Sequence, residues 1–403
     1  MADVVLPDEV VEDAETKIVF VVMDGVGGLP DPETGKTELE AARTPNLDRI
    51  ARGASAGLIQ PVGPGITPGS GPGHLALFGY DPIRWNIGRG VLSALGVDFV
   101  LREGDVAARL NFATVDDEGR VTDRRAGRPP DAENARLVEK LRESVRPSPG
   151  VELFFESEKE HRLVMILRGE NLSADLSDTD PQETGVQPLR VRPTSEYAKG
   201  SARLVQDILD QCRDALADEP AANAVLARGF AAFRRYPSIT DRYRLVGRCI
   251  ARYPMYRGVA RLLGMDIVPP PAEDAGVADA LHQDFERYDF HFLHFKYTDS
   301  RGEDGSFEAK VAAIEAVDRL FPRIEEAKPD VLVVTGDHST PSRMATHSWH
   351  PVPVLLASPW TRPAGLDSFG ERPCLRGDLG VFPAKDLMAH VLAHARRLGK
   401  YGA

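Results

Sequence analysis

Three separated segments share one pattern, a short apolar run that leads into an acidic residue. The segments are KIVFVVMDGVGG, FHFLHFKYTDSRGEDG and VLVVTGDHSTP, and they carry Asp24, Asp299 and Asp337. Short apolar runs bounded by glycine and polar residues are typical of buried strands. Open α/β sheets bind their ligands outside the carboxyl ends of their strands. The pattern therefore predicts an α/β fold with a polar site at one edge of its sheet.

The same segments offer further metal ligands. His338 follows Asp337 directly, His347 lies on the returning loop, and Glu303 follows Asp299 by about one turn. A single histidine or a single Asp-Gly pair is more often a surface residue or a turn. Carboxylates and imidazoles that occur together suit Mn, Zn, Co or Mg better than Ca. We therefore predict a centre that holds more than one metal ion.

A glycine-rich segment, PGITPGSGPGHLALFGYDP, places Ser70 between glycines ahead of an apolar stretch that contains His74. Glycine gives the backbone the freedom to project a hydroxyl into a site and to bring amides close to an anion. A flexible turn is the ordinary explanation of Gly-Ser-Gly. Beside a metal centre, however, Ser70 becomes a candidate nucleophile.

Ordered motifs along nearly the whole chain are similar to those of one known family. They include MDGVGG, TPNLDRIARGASAG, FGYDP, GRGVLSALG, FKYTDSRGEDGSFEAK, GDHSTP and HSWHPVPVLLAS. With these motifs the chain resembles the archaeal-type phosphoglycerate mutases that are independent of 2,3-bisphosphoglycerate, within the alkaline phosphatase superfamily. The resemblance implies an alkaline-phosphatase-like α/β core, with a mainly parallel sheet flanked by helices, and an inserted smaller α+β domain.

The resemblance also implies two divalent metal ions. The first ion is expected to bind Asp24, Ser70, Asp337 and His338, and the second Asp299, Glu303 and His347. Position 303 departs from the family, which has histidine where this chain has glutamate. A carboxylate adds negative charge and favours a harder ion. We therefore expect Mn or Mg, with Co and Zn as alternatives.

The ligands and the serine together suit phosphoryl transfer. Such a reaction needs a nucleophile in line and neutralisation of the phosphoryl oxygens. A metal ion on the Ser70 oxygen lowers its pKa, and a second ion binds the phosphoryl oxygens. Ser70 would then become a phosphoserine. The resemblance implies that the reaction is the interconversion of 3-phosphoglycerate and 2-phosphoglycerate in glycolysis and gluconeogenesis.

A mutase must also retain the dephosphorylated glycerate, whereas a phosphatase lets water take its place. Retention favours arginine, whose planar guanidinium pairs with carboxylate and phosphate through two hydrogen bonds. A solvated surface position is the default for any single arginine. The candidate substrate-binding residues are Arg89, Arg109, Asp123, Arg125, Arg128 and Lys296.

Two other functions stay open at this point. One is a metal-dependent phosphatase or another phosphomutase with the same centre, because one fold hosts several activities. The other is a non-catalytic relative whose metal site has decayed, an idea that only Glu303 invites. A sulfatase is disfavoured.

The pattern of elements changes between the Ser70 segment and the Asp299 segment. Short strands such as Val106 to Val115 alternate there with helices, and none ends in an acidic cluster. We predict a discontinuous metal-binding core, residues 1–95 and 281–403, and an inserted substrate-covering domain, residues 96–280, that ends at the linker PPPAEDAG. Within the core, apolar spacing predicts one amphipathic helix from Phe307 to Phe321.

Composition narrows the location and the partners. The 403 residues carry a formal net charge of −12 and a pI near 5.4, which argues against general nucleic-acid binding. Three widely separated cysteines form no disulfide framework, which suits a reducing cytoplasm. The amino terminus lacks the features of a signal peptide, and no apolar run approaches the roughly 20 residues of a membrane helix. We expect a cytoplasmic enzyme with a phosphoglycerate substrate and without a nucleic-acid or membrane partner.

Overall fold

The computed structural model describes residues 6–402. The strands are β1 (Ile18–Met23), β2 (Ser55–Gln60), β3 (Val106–Val115), β4 (Val121–Asp123), β5 (Val151–Lys159), β6 (Arg162–Gly169), β7 (Ala224–Ala232), β8 (Gly247–Ala251), β9 (Asp266–Ile267), β10 (Phe290–Phe295), β11 (Val331–Thr335), β12 (Val352–Ala357) and β13 (Gly380–Pro383).

The α-helices are α1 (Glu38–Ala41), α2 (Pro45–Gly53), α3 (Ser70–Leu77), α4 (Arg89–Gly96), α5 (Asp131–Ser144), α6 (Lys199–Ala215), α7 (Ile239–Tyr243), α8 (Pro254–Leu262), α9 (Asp274–Ala280), α10 (Tyr297–Glu303), α11 (Phe307–Asp318), α12 (Phe321–Glu325), α13 (Glu371–Leu375) and α14 (Leu387–His394). Short 3-10 helices lie at Asp8–Val10, Glu196–Ala198, Phe285–Arg287 and Ala384–Asp386. Between residues 6 and 402, none of the helices has the length and apolar character that a bilayer crossing requires.

The chain divides into two compact units. The core unit contains the residues before Ile87 and after Arg235, and the inserted unit contains residues 87–235. These boundaries differ from the predicted ones at 95/96 and 280/281. The difference at the second boundary arises because β8 pairs in parallel with β10 and so belongs to the core sheet. At the first boundary, α4 packs on β3 so closely that a Cβ on Gly90 would lie 2.1 Å from the Ala107 carbonyl oxygen.

The core unit is built on one mainly parallel sheet. Among the described residues this sheet has eight strands, in the order β13-β2-β12-β11-β1-β10-β8-β9. Only β12 runs antiparallel to its neighbours there. Strand β1 lies between β10 and β11, and all three are completely buried, as their continuous apolar sequences require. The predicted α/β class with a mainly parallel sheet is confirmed.

The register of the three central strands brings their carboxyl ends together. Met23 pairs with Phe295, and Val22 pairs with Thr335. The residues that follow these positions therefore meet at a single edge of the sheet. This edge is where the three acidic segments of the sequence end.

The predicted helix from Phe307 to Phe321 is two helices in the structure. Helix α11 starts after Ser306, whose hydroxyl accepts a hydrogen bond from the Ala309 amide, and it ends at Asp318. Helix α12 starts at Phe321, with Pro322 in its first turn. Proline lacks the amide proton that a continuous helix would need at this position.

The inserted unit has a five-stranded antiparallel sheet among its described residues. Strand β3 pairs with β6, β7 and β4, and β5 pairs with β6. Leu110 and Phe112 of β3 belong to the same buried apolar cluster as Leu137 of α5 and Ile208 of α6. Side chains alternate along a strand, so Arg109 projects to the face of β3 opposite this cluster.

Candidate metal centre

Three adjacent parallel strands deliver the acidic residues of the core unit. Asp24 follows β1 directly, and Asp337 and His338 lie just beyond β11. Asp299 lies in the first turn of α10, after β10 has ended at Phe295. All four side chains are buried. The sheet edge therefore holds three carboxylates and one imidazole away from water.

A first group of ligand atoms comes from Asp24, Asp337 and His338, which offer atoms within 4.8 Å of one another. The Nε2 atom of His338 is 3.3 Å from Asp24 Oδ1 and 3.2 Å from Asp337 Oδ2. Asp24 Oδ1 is buried and has no hydrogen-bond partner within residues 6–402. A buried carboxylate oxygen without a partner is costly unless a cation satisfies it. The donor set and this orphaned oxygen fit a divalent metal ion.

Ser70 lies beside this first group. Its Oγ is 3.3 Å from His338 Nε2. The structure makes Ser70 the first residue of α3, whereas the sequence indicated a loop. Gly73 permits the approach of α3, because a Cβ there would lie 2.4 Å from the Asp337 carbonyl oxygen.

A second group comes from Asp299, His338 and His347. The Nε2 atom of His347 is 3.6 Å from Asp299 Oδ1 and 3.6 Å from Glu303 Oε1. Half of the Glu303 side chain is exposed, so this group is more open to water than the first. The seven residues expected from the resemblance to bind metal thus lie at one edge of the core sheet.

Sequence inspection missed Thr340, which links the two groups. Its hydroxyl donates to Asp299 Oδ1 at 2.5 Å and lies 2.9 Å from His338 Nδ1. Because the hydroxyl proton is used on Asp299, the Thr340 oxygen can accept a hydrogen bond from the Nδ1–H tautomer of His338. In that tautomer, Nε2 of His338 has a free electron pair for a metal ion.

Three further buried aromatic residues surround the carboxylates. Tyr256 donates a short hydrogen bond to Asp24 Oδ2, and its ring stacks on His294. His74 Nδ1 lies 3.1 Å from Asp337 Oδ2. Tyr256 lies on α8, just after β8. It therefore reaches the same edge of the sheet as the acidic residues, which also follow parallel strands. A sequence signal is present in GRCIARYPMY, but the predicted boundaries place that segment in the insertion.

Lys296 lies among the ligands. Its Nζ is 3.1 Å from Asp24 Oδ2 and forms an ion pair with Asp299. Burial lowers the pKa of the ammonium group, but Asp24 and Asp299 outweigh burial and raise that pKa above its ordinary value. Lys296 therefore stays charged and offsets part of the acidic excess.

The pKa values of Asp24 and Asp299 are shifted in opposite directions. Burial by itself raises the pKa of Asp24, but Lys296 and the imidazoles of His294 and His338 hold that pKa well below its ordinary value. Burial and the neighbouring Asp24 raise the pKa of Asp299.

His347 is also perturbed. Burial lowers the pKa of its imidazole, but the hydrogen bond with Glu303 and the Pro68 carbonyl raise it to about 9. Without a bound cation, His347 is therefore protonated at neutral pH. A metal ion at His347 must displace that proton.

Arginines gather in the inserted unit. Burial, followed by repulsion from Arg89, Arg162 and Arg228, lowers the pKa of Arg109 to about 10. The Nε atom of Arg109 is buried without a hydrogen-bond partner in the described part of the chain. Arg162 and Arg228 were not predicted. Arg228 pairs across strands with Arg109, and a sequence without strand register does not reveal such neighbours.

The predicted residues 123–128 form a turn near His161. Both carboxylate oxygens of Asp123 accept backbone hydrogen bonds, from Arg125 at 2.8 Å and Gly127 at 2.7 Å. Burial, followed by repulsion from Arg162, Arg125 and Arg128, lowers the pKa of His161 to about 4. Asp123 therefore shapes the turn, while Arg125 and Arg128 add to the positive field.

Known proteins match this chain over nearly its full length. Residues 51–222 match the family model for 2,3-bisphosphoglycerate-independent phosphoglycerate mutase. A Thermus thermophilus protein described as a probable 2,3-bisphosphoglycerate-independent phosphoglycerate mutase is 50% identical over 398 residues, which cover 98% of each chain. The chain belongs to this family.

Two solved structures of similar proteins support the fold. A Pyrococcus horikoshii protein is 27% identical with a TM-score of 0.83, and the match covers 98% of this chain and 100% of that one. The cofactor-independent phosphoglycerate mutase of Thermoplasma acidophilum is 28% identical with a TM-score of 0.74, over 94% of this chain and 100% of that one. The resemblance inferred from the motifs is confirmed. The candidate ligands of the core unit are side chains of the kinds that bind divalent metal ions.

Proposed function

We propose that this chain interconverts 3-phosphoglycerate and 2-phosphoglycerate without 2,3-bisphosphoglycerate, through a phosphoserine at Ser70. The observation that carries the proposal is the position of the Ser70 hydroxyl. It lies 3.3 Å from His338 Nε2, beside a buried group of metal ligands, in a chain of the mutase family. A hydroxyl in such surroundings is suited to act as a nucleophile.

The proposed centre holds two divalent ions. Asp24, Ser70, Asp337 and His338 bind the first, and Asp299, Glu303 and His347 bind the second. Bound ions of this kind lower the pKa of a coordinated hydroxyl and neutralise phosphoryl oxygens. Support comes from the orphaned Asp24 Oδ1 and from the short distances within each group.

Ser70 Oγ attacks the phosphorus atom, and the new Oγ–P bond replaces the bond from phosphorus to the substrate oxygen. The other hydroxyl of the retained glycerate then attacks the phosphoserine and breaks the Oγ–P bond. Lys296, beside Asp24 and Asp299, adds positive charge for the phosphoryl group. Thr340 keeps the Nε2 face of His338 directed at the centre throughout.

Retention of the glycerate is assigned to the inserted unit, which would bind and cover the substrate. Arg89, Arg109, Arg125 and Arg128 are the proposed anion-binding groups, and Asp123 holds the turn that carries the last two. Burial, followed by repulsion from neighbouring arginines, lowers the pKa of Arg109, and a bound anion would relieve the repulsion. This repulsion favours a carboxylate or phosphate ligand over a neutral one.

The proposal places the enzyme in the cytoplasm. Cys212, Cys249 and Cys374 are buried free thiols, which suits a reducing compartment. Glycolysis and gluconeogenesis are the processes in which the proposed reaction takes part.

The metal is proposed to be Mn or Mg because of Glu303. Replacement by the usual family ligand, Glu303→His, should shift the activation profile from Mg and Mn toward Co and Zn. Activity measured across the four ions tests this. An unchanged order of preference would remove Glu303 from the ligand set.

The function is tested by incubating the purified protein with 3-phosphoglycerate and Mn²⁺ or Mg²⁺, without 2,3-bisphosphoglycerate. Added enolase reports 2-phosphoglycerate as phosphoenolpyruvate, and free phosphate is measured in parallel. Phosphoenolpyruvate without free phosphate supports the mutase. Free phosphate alone would make the protein a phosphatase and would remove the argument for glycerate retention.

A further inference from the structure

One lysine of the core unit is completely buried beside the metal centre. Lys310 lies on α11 and is 0% exposed. Its Nζ donates to three backbone carbonyl oxygens, those of Gly25 at 2.9 Å, Gly27 at 2.9 Å and Thr340 at 2.8 Å. An ammonium group has three protons to donate. All of them are used on backbone oxygen.

The three carbonyls belong to the two loops that carry the first group of metal ligands. The β1 loop is residues 24–28 and begins with Asp24. The β11 loop is residues 336–342 and contains Asp337 and His338. The Thr340 amide donates to the carbonyls of Gly25 at 3.2 Å and Gly27 at 3.0 Å, so the loops already touch where Lys310 binds them.

Two buried glutamates hold the same loops from other sides. Glu38 accepts from the amide and the hydroxyl of Ser342, at 2.7 and 2.6 Å. Glu371 accepts from the Gly28 amide at 2.8 Å. Burial lowers the pKa of Lys310, while Glu38 and Glu371 oppose that shift. Lys310 therefore sits in a polar network in which its ammonium group hydrogen-bonds none of the candidate ligand side chains.

The path from Lys310 to the ligands is short. Thr340, whose carbonyl Lys310 binds, holds Asp299 and His338 through its hydroxyl. Gly25, whose carbonyl it also binds, donates its amide to Asp337 Oδ1 at 3.2 Å. A displacement of either loop would therefore change distances within both ligand groups. Partners of this kind orient ligands and affect metal affinity.

We infer that Lys310 is a positioning residue, an internal cation that holds the β1 and β11 loops together and sets the spacing of the metal ligands. The inference rests on the proposed two-metal centre. Lys310 would touch neither metal nor substrate. Its role is distinct from that of Lys296, whose ammonium contacts the ligand carboxylates directly.

The test is a calorimetric titration of Mn²⁺ alone into metal-free protein. Lys310→Ala should bind Mn²⁺ about 10- to 100-fold more weakly than the unaltered protein. n-Propylammonium supplies the atoms that the substitution removes, so it should restore Mn²⁺ affinity to Lys310→Ala. n-Propanol has a similar size without the charge and should not. Should Lys310→Ala fail to fold, Lys310→Met preserves most of the volume and donates no hydrogen bond.

Arg397 offers a matched control. It is a second buried cation of the core unit, and it binds the carbonyls of Ala14 and Thr16 and the carboxylate of Asp289. Arg397→Met should lower the unfolding temperature while leaving Mn²⁺ affinity unchanged, because none of these partners lies in a ligand loop.

Three outcomes would overturn the inference. They are unchanged Mn²⁺ affinity in a folded Lys310 variant, an equal loss of affinity in Arg397→Met, and a failure of n-propylammonium to restore Lys310→Ala. If the unaltered protein bound no Mn²⁺, the proposed centre itself would be wrong. Normal binding by the unaltered protein with no effect of Lys310 would overturn only the positioning role.

Discussion

The acidic centre of the core unit and the arginine cluster of the inserted unit both hold like charges close together, with opposite signs. The core gathers Asp24, Asp299 and Asp337 at the ends of three parallel strands, where Lys296 offsets part of the charge. The inserted unit places Arg109 among other arginines on an antiparallel sheet. Uncompensated like charges lower stability until a counter-ion binds.

The two clusters differ in burial. The three core carboxylates are at most 1% exposed, whereas Arg109 is only partly buried. Electrostatic interactions are stronger where water is excluded. We therefore expect a cation to affect the core more strongly than an anion affects the inserted unit. The contrast also agrees with the proposed division of tasks, in which the buried cluster carries the chemistry and the more open one retains the substrate.

The largest effect should come from Ser70, which the proposed mechanism uses as the nucleophile. Ser70→Ala should lower turnover by about 10⁴-fold or more, because the phosphorylated oxygen is lost. Mn²⁺ binding should persist through the remaining ligands. Ser55→Ala is the control, since Ser55 is a buried core serine whose hydroxyl bonds Asp378. Undiminished mutase activity of Ser70→Ala would exclude the phosphoserine.

Ligands of opposite charge should act on different units. Mn²⁺ at about 100 times its Kd should stabilise the protein by about 2.7 kcal/mol. Amide hydrogen exchange should show this stabilisation as slower exchange in the loops that follow β1 and β11. Inorganic phosphate should instead protect β3 and β7, and more weakly. Equal protection of both regions by Mn²⁺ would contradict the expectation that a cation and an anion act on different units.

Removal of one positive charge from the arginine cluster should raise the stability of the protein and weaken the binding of phosphoglycerate. Arg109→Met should raise the free energy of unfolding by about 1 kcal/mol, because it relieves a partly buried, poorly paired cation. The same change should raise KM for phosphoglycerate by about 10-fold or more, through the loss of a charged hydrogen bond. Urea unfolding and steady-state kinetics measure the two effects.

Arg168 provides the contrast for Arg109 within the inserted unit. Its guanidinium pairs with both oxygens of Asp105, at 2.9 and 2.7 Å. Arg168→Met should therefore lower stability and leave KM unchanged. The same direction of change in both variants would mean that Arg109 is an ordinary structural arginine.

The acidic centre was more accessible to sequence reasoning than the arginine cluster. The continuous apolar run in KIVFVVMDGVGG indicated the strand β1 (Ile18–Met23), and parallel neighbours deliver their next residues to one edge. Arg109 and Arg228 are 119 positions apart, and only the antiparallel register of β3 with β7 brings them together. The contacts of Lys310 likewise could not be predicted from the sequence. Helical spacing indicates a buried face, but not that a cation there binds the β1 and β11 loops.

The last prediction concerns His161, whose pKa responds to burial and to the charges of the arginine cluster. Its pKa of about 4 lies below the value near 6.5 of an unfolded histidine, because burial and then Arg162, Arg125 and Arg128 disfavour the imidazolium. Between these pH values the unfolded chain binds a proton that the folded chain does not. Stability is therefore fully present above about pH 6.5 and falls as pH drops toward 4.

Allowing for solvent screening, the loss in stability should be about 1 to 2 kcal/mol, and His161→Gln should abolish this part of the pH dependence. Nuclear magnetic resonance of the imidazole gives a sharper measurement. If an anion binds at the arginines, inorganic phosphate should raise the pKa of His161, because its negative charge offsets the guanidinium field. A pKa near 6.5 with and without phosphate would mean that the arginines exert no concentrated field. The inserted unit would then hold no cluster of like charges to set against the acidic centre of the core unit.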